Sequence, residues 1–256
     1  MSKIPVSIQL YTLREACEQD FAGTLKKVAE LGFDGVEFAG FGGLTAQDVK
    51  RLLDEYQLQA SSSHVPLDQL QNNLDQVIEE QKILGSKYIV IPYLGDDQRD
   101  EASYRSLISF IEEAGEKCRK EGLTLCYHNH DFELERLSDG RTALETILED
   151  TSAENVKAEF DVYWLQKADH DPIEWIHRFK DRTPLLHLKD MTVDDEKFFA
   201  ELGTGGVDID AVIEAGKEIG VDWFVVEQDA TRKTPFESIE ISMDYLKDRF
   251  PHLANK

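Results

Sequence analysis

The residues of this chain best placed to do chemistry lie in Thr124-Leu-Cys-Tyr-His-Asn-His-Asp-Phe-Glu133, where two histidines and then a carboxylate close an apolar run. That run predicts a strand, on which His128 and His130 share one face while Tyr127 and Asn129 take the other. Imidazoles so spaced at a strand end suit a metal or a proton-transfer site better than a core. Other predicted strands end on residues of the same kind: Glu37, His64, Asp161, His187 with Lys189, and Glu227. Four of the seven histidines in the chain fall in this set, which scattered surface histidines would not do. Carboxylates and imidazoles converging on one point are the ligands of a divalent first-row metal, and the absence of thiolates argues against a structural zinc.

Each residue also has a plain packing role open to it. Asp161 could cap a following helix, His187 between leucines could be a buried structural histidine, and Glu227 could pair with Lys189. For Glu37 and His64 the two kinds of role weigh equally.

The elements that must position these residues alternate along the whole chain. Strand patterns at Val6–Tyr11, Gly35–Phe38, Leu58–His64, Tyr88–Pro92, the run from Thr124, Val156–Asp161, Pro184–Lys189 and Trp223–Glu227 are separated by amphipathic helical stretches. These stretches cover Phe21–Leu31, a helix opening near Thr45, Leu67–Leu84, Glu101–Glu121, Thr142–Asp150, Ile173–Phe179, Ile209–Ile219 and Ser238–Phe250. The segments Asp131–Gly140 and Met191–Gly206 read as loops. Such alternation builds βαβ units on a parallel sheet. Eight strands within 256 residues, with no break in composition, predict one α/β domain over 1–256, a (β/α)8 TIM barrel. In that fold functional residues gather at the C-terminal ends of the strands, where the candidates lie.

Composition narrows the partners. With 28 Lys+Arg against 51 Asp+Glu, the net charge of −23 repels nucleic acid and anionic lipid. Cys17, Cys118 and Cys126 form neither a disulfide framework nor a metal pair, as expected of a reducing, cytoplasmic setting. No apolar run approaches the roughly 18 residues of a membrane span, and the N-terminus enters a strand pattern without a signal sequence. A homo-oligomer is compatible with all of this.

From Gln9-Leu-Tyr-Thr-Leu-Arg14 through Phe160-Asp-Val-Tyr-Trp164 and Leu186-His-Leu-Lys-Asp190 to Val225-Val-Glu227, the chain resembles the xylose isomerase-like barrel superfamily. Within it the likeness is to the sugar phosphate isomerase/epimerase group, which includes tagatose and psicose epimerases, hydroxypyruvate isomerase and inosose dehydratase. The resemblance implies one divalent ion (Mn, Co, Zn, Mg or Fe) held at the ends of strands five to eight, usually by Glu, Asp, His and Glu. Asp161, His187 and Glu227 match the last three, and His128 stands where the epimerases carry the first glutamate. The epimerases also tend to have a histidine at the position of Trp164.

The implied reaction is proton abstraction beside the carbonyl of a small keto-sugar or polyol-derived substrate, through an enediolate. Glu227 is the candidate base, and His130 or Lys189 the second proton-transfer group. Glu37, His64, Glu133 and Trp164 are candidates for substrate contact. A dehydratase would use the same enolate to expel a β-hydroxyl, and a sugar-binding homologue would bind without turnover. The related DNA-repair endonucleases need more zinc ligands and a basic face, which this chain lacks.

Overall fold

The computed structural model describes residues 3–254. The strands, in chain order, are β1 (Val6–Gln9), β2 (Gly35–Phe38), β3 (Gln59–His64), β4 (Tyr88–Ile91), β5 (Thr124–His128), β6 (Val156–Asp161), β7 (Leu185–Leu188), β8 (Asp190–Met191), β9 (Phe199–Ala200) and β10 (Trp223–Val226). Eight of them close a parallel barrel in the order β1-β10-β7-β6-β5-β4-β3-β2, while β8 and β9 form a separate antiparallel pair. The (β/α)8 barrel expected from the sequence is the fold of the chain.

Local chemistry accounts for the boundaries. The helix Phe21–Leu31 starts where Asp20 accepts the Gly23 N–H and stops at Gly32, whose φ of 98° suits a residue without a Cβ. Ala46–Tyr56 is capped by Thr45, and Pro235–Arg249 opens on a reciprocal capping box between Thr234 and Glu237 with proline at the first turn. The closing helix therefore begins three residues before the apolar periodicity suggests. Strands such as Tyr-Ile-Val-Ile in β4 and Trp-Phe-Val-Val in β10 are buried throughout, as strands covered on both faces must be.

Three stretches differ from the sequence reading. The strand read over Val6–Tyr11 stops at Gln9, and Leu10–Leu13 and Arg14–Gln19 form two short helices before the next element. After β6 the chain turns at once into a short helix, Val162–Lys167, because Asp161 Oδ1 accepts the N–H groups of Tyr163 and Trp164. The segment after β7 is ordered by the buried Asp190 carboxylate, which accepts backbone N–H groups from Met191, Gly203, Gly205 and Val207. Those bonds fold the segment back beside the β8–β9 hairpin, which pairs Asp190 with Ala200 and Met191 with Phe199. Among the described residues no helix is long and apolar enough to cross a membrane.

The barrel walls and helices meet closely at Gly115, where a Cβ would stand 2.2 Å from the Asn155 carbonyl oxygen. Alanine there gains about 1 kcal/mol in helix propensity, but a backbone contact that short forces an overpacking cost of roughly 1–3 kcal/mol. Gly115→Ala should therefore lower the urea midpoint. A midpoint at or above that of the wild type would contradict this packing.

Candidate metal centre

The parallel register sets the side chains on the barrel axis. His128 at the end of β5 lies beside Glu159 of β6, and Asp161 at the end of β6 lies beside His187 of β7. Period-2 alternation puts Glu159 and Asp161 on the same face, so both carboxylates enter the barrel interior. Glu37, Glu159, Asp161, His128, His187 and Lys189 are all buried, and Glu227 is 5% exposed.

Both imidazoles are held from behind. His187 Nε2 lies 2.7 Å from Glu37 Oε1, and its Nδ1 lies 3.0 Å from Glu227 Oε2. His128 Nδ1 lies 3.0 Å from Glu159 Oε2, while its Nε2 faces Asp161 Oδ2 at 3.7 Å. The network assigns the N–H of His128 to Nδ1, since the Glu159 carboxylate must receive a proton there, whereas both nitrogens of His187 face carboxylates, which raise its pKa well above the ordinary value despite burial. His128 thus turns a bare nitrogen toward Asp161, and His187 would release its Nδ1 proton on taking up an ion. This is the carboxylate–histidine arrangement that orients metal ligands.

One donor atom each from His128, Asp161, His187 and Glu227 lie within 4.8 Å of one another, a spread that four ligands about 2.0–2.2 Å from a shared ion occupy. The donor chemistry fits such an ion. Asp161 Oδ2 receives no hydrogen bond, although the Lys189 ammonium is 2.9 Å away. A second set, His64, His128, Glu159 and His187, shares the two rings on their inner side. Its carboxylate oxygen already sits 2.8 Å from His64, 3.0 Å from His128 and 3.3 Å from His187, so the outer set is the better-prepared one.

Burial and charge oppose each other at these groups. Burial pushes the Glu37 carboxyl up, but His64 and His187 hold it well below its usual range. Burial pushes Glu227 up in the same way, and Lys189 followed by His187 brings it down, so it is ionised. Burial would neutralise His64, yet Glu37 and Glu159 raise it to about 10. Burial and the surrounding positive charges depress His128, which is the neutral form that a metal requires. Lys189 is a buried ammonium fixed 2.9 Å from Asp161, 2.8 Å from Glu227 and 2.9 Å from Asp229, which raise its pKa well above normal despite burial.

A cavity of about 1000 Å³ opens above this cluster and is lined there by His64, His128, His130, Trp164, Glu227 and Asp229. His130 is neutral, with burial first and then Lys189 holding its pKa to about 3. Its Nδ1 and the Trp164 indole N–H are buried without partners, as groups awaiting a ligand would be. Glu37 and Glu133 do not line the cavity. Glu37 lies beneath it, and Glu133 lies behind the β5 loop, accepting from the Tyr127 hydroxyl at 2.8 Å and the His130 N–H at 2.7 Å. Asp161, His187 and Lys189 lie behind the wall.

Three of the packing alternatives hold together with the functional one. Asp161 caps a helix through Oδ1 while Oδ2 faces the other ligands, His187 is buried, and Glu227 pairs with Lys189. Sequence reasoning missed Glu159 and Asp229. The first was legible as a carboxylate two residues before Asp161 on the same face, whereas the second lies beyond a strand end and gave no periodic signal.

The profile of the family described as "Xylose isomerase-like TIM barrel" matches residues 25–249. The chain belongs to this family. Inosose dehydratase of Lacticaseibacillus casei is 26% identical over 177 residues, covering 60% of this chain and 56% of the relative. The chain thus spans little more than half the length of that curated relative. Inosose dehydratase of Geobacillus kaustophilus strain HTA426 is 23% identical over 275 residues, covering 89% of this chain and 86% of the other. A sugar phosphate isomerase/epimerase of Parabacteroides distasonis ATCC 8503 superposes with a TM-score of 0.81 at 25% identity, covering 99% and 96% of the two chains.

With Glu159 3.0 Å behind His128, affinity for an ion at the outer set should depend on a residue that is not itself a ligand of that set. Purified protein should carry about one divalent ion per chain by elemental analysis, and Asp161→Ala with His187→Ala should abolish it. Glu159→Gln, which removes the charge behind His128, should weaken affinity about tenfold or more. Wild-type affinity in Glu159→Gln would mean that this carboxylate does not prepare the ligand.

Glu133 makes stability depend on pH. Burial raises its pKa from 4.5 to about 8, against the opposing hydrogen bonds from the His130 N–H and the Tyr127 hydroxyl. The folded chain keeps this proton up to about pH 8, whereas the unfolded chain releases it above its ordinary value. The stabilisation present at low pH is thus lost as pH rises through that window. Glu133→Gln should flatten this part of the stability–pH curve; an unchanged slope would contradict the assignment.

Proposed function

We propose that this protein is a metal-dependent isomerase or epimerase of a keto-sugar, working by proton abstraction beside the carbonyl. The observation that carries the reading is Glu227, an ionised carboxylate on the cavity wall 2.8 Å from an immobile ammonium. A divalent ion held by His128, Asp161, His187 and Glu227 would supply Lewis-acid polarisation of the substrate oxygens.

The chain's own groups do the rest. Glu227 takes the proton from the carbon next to the carbonyl, and the pair left behind becomes an enediolate. Lys189 lies behind Glu227 and is in this reading a positioning residue: held also by Asp161 and Asp229, its charge keeps Glu227 deprotonated and in place. Neutral His130, with its unpartnered Nδ1 in the cavity wall, carries the second proton transfer. Trp164, 5.2 Å from the His130 ring, offers a face for the sugar and an N–H for one hydroxyl. His64, a charged imidazole at the cavity floor, faces the same substrate.

A second reading is dehydration, favoured by the four inosose dehydratases among the relatives. The same enolate would expel a β-hydroxyl, to which His130 would have to deliver a proton. A homologue that binds sugar without turnover would do neither.

Incubation of the metal-loaded protein with a panel of neutral ketohexoses and keto-inositols in deuterated solvent tests all three. The proposal expects incorporation of deuterium at a carbon without loss of mass as water. Glu227→Gln should slow exchange about 10²–10⁴-fold, the usual contribution of one acid/base group. Loss of water would support dehydration, binding without exchange would support the third reading, and full exchange in Glu227→Gln would remove that residue as the base.

A further inference from the structure

The cavity is larger than the proposed chemistry needs. At the roughly 30 Å³ that a water occupies in the liquid, a hexose of about a dozen heavy atoms fills no more than about 360 Å³. The cavity holds about 1000 Å³.

Its two halves also differ in kind. The half above β5–β10 carries the polar cluster with His128, His130, Glu227 and Asp229. The half above β2–β4 is walled by Phe41, Leu44, Val65, Pro66 and Tyr93. Tyr93 and Leu44, which both line the cavity, are 51% and 38% exposed, among the exposed large hydrophobic side chains of the described residues.

This shelf is built and braced. Phe41 packs edge-on against Phe38 with ring centroids 5.3 Å apart. Tyr93 stands edge-on to Phe132 at 5.6 Å, and the Arg99 guanidinium lies 3.7 Å over Phe132 while its Nε donates to the Leu94 carbonyl at 3.1 Å. The shelf is continuous with the chemistry, because Tyr93 also meets His130 edge-on at 5.2 Å and Phe132 stacks on His130 at 5.6 Å. A ring resting on Tyr93 and Leu44 is thus next to the proton-transfer group.

We infer that the substrate is a two-ring glycoside: a keto-sugar seated over His128 and Glu227, joined to a second ring with a flat apolar face that lies on the Leu44–Tyr93 shelf. This rests on the sugar reading above and adds to it the size and character of the far end. The polar edges at Gln69 and Glu80 would meet hydroxyls at the rim of that second ring.

Isothermal titration of the full, metal-loaded chain with three inert probes tests it: methyl β-glucopyranoside, phenyl β-glucopyranoside and methyl β-cellobioside. At least one two-ring probe should bind about tenfold or more tightly than the methyl glucoside, as expected of one ring buried against aromatic side chains. An advantage for the phenyl probe alone would assign the shelf to an aryl group, and one for the cellobioside to a second sugar. The double variant Leu44→Ala/Tyr93→Ala, altered only at half-exposed positions, should bring the ratio to within about twofold. Equal binding of all three probes, or an advantage that survives in the double variant, would overturn the inference while leaving the sugar reading standing. Binding of none of them would overturn both.

Discussion

The constraint on which this structure turns is the burial of several carboxylates around one axis. Glu37, Glu159, Asp161 and Glu227 are withdrawn from water within the barrel, where an unpaired charge costs several kcal/mol. Their internal counter-charges are the Lys189 ammonium and the His64 and His187 imidazolium groups, three against four. A negative excess remains. A protein can relieve such an excess by holding protons on its acids or by taking up a cation. The geometry fits the cation, because one donor atom each from His128, Asp161, His187 and Glu227 lie within 4.8 Å of one another. The barrel supplies the rigidity: each of these groups sits on or next to a strand whose register is shared with its neighbours.

The same arrangement reconciles roles that looked exclusive in the sequence. Asp161 is a helix cap and a candidate ligand because a carboxylate has two oxygens, one for the backbone and one for the barrel axis. Lys189 looked like an acid/base group, yet three carboxylates within 2.9 Å leave it a fixed positive charge. His128, where the resemblance implies a glutamate, brings no charge of its own, and Glu159 behind it restores one at a distance of one ring. The substitution therefore changes the donor atom more than the charge of the site.

The barrel was legible in the sequence because its signals are local: period-2 runs, helix caps, and glycines such as Gly32 after the last turn. The strand-end residues were legible for the same reason, since alternation says which of them face inward. What was not legible depends on partners far apart in the chain. Glu37 and His187, 150 residues apart, share a hydrogen bond that no spacing announces. Glu159 passed for a mid-strand residue, and only the register between β5 and β6 reveals that it backs His128. The β8–β9 hairpin was hidden in a polar, glycine-rich segment because one side chain, Asp190, organises it through backbone groups. The apolar half of the cavity comes from loops after β2, β3 and β4, whose residues carry no common pattern.

The central claim is that the buried charge is balanced by one divalent ion held between His128, Asp161, His187 and Glu227. X-ray absorption at the metal edge of the manganese- or zinc-loaded protein addresses it directly. The account expects a light-atom shell at about 2.0–2.2 Å containing two imidazoles, with sulfur absent. A shell with no imidazole scattering, a sulfur ligand, or protein that retains no metal after loading would contradict it.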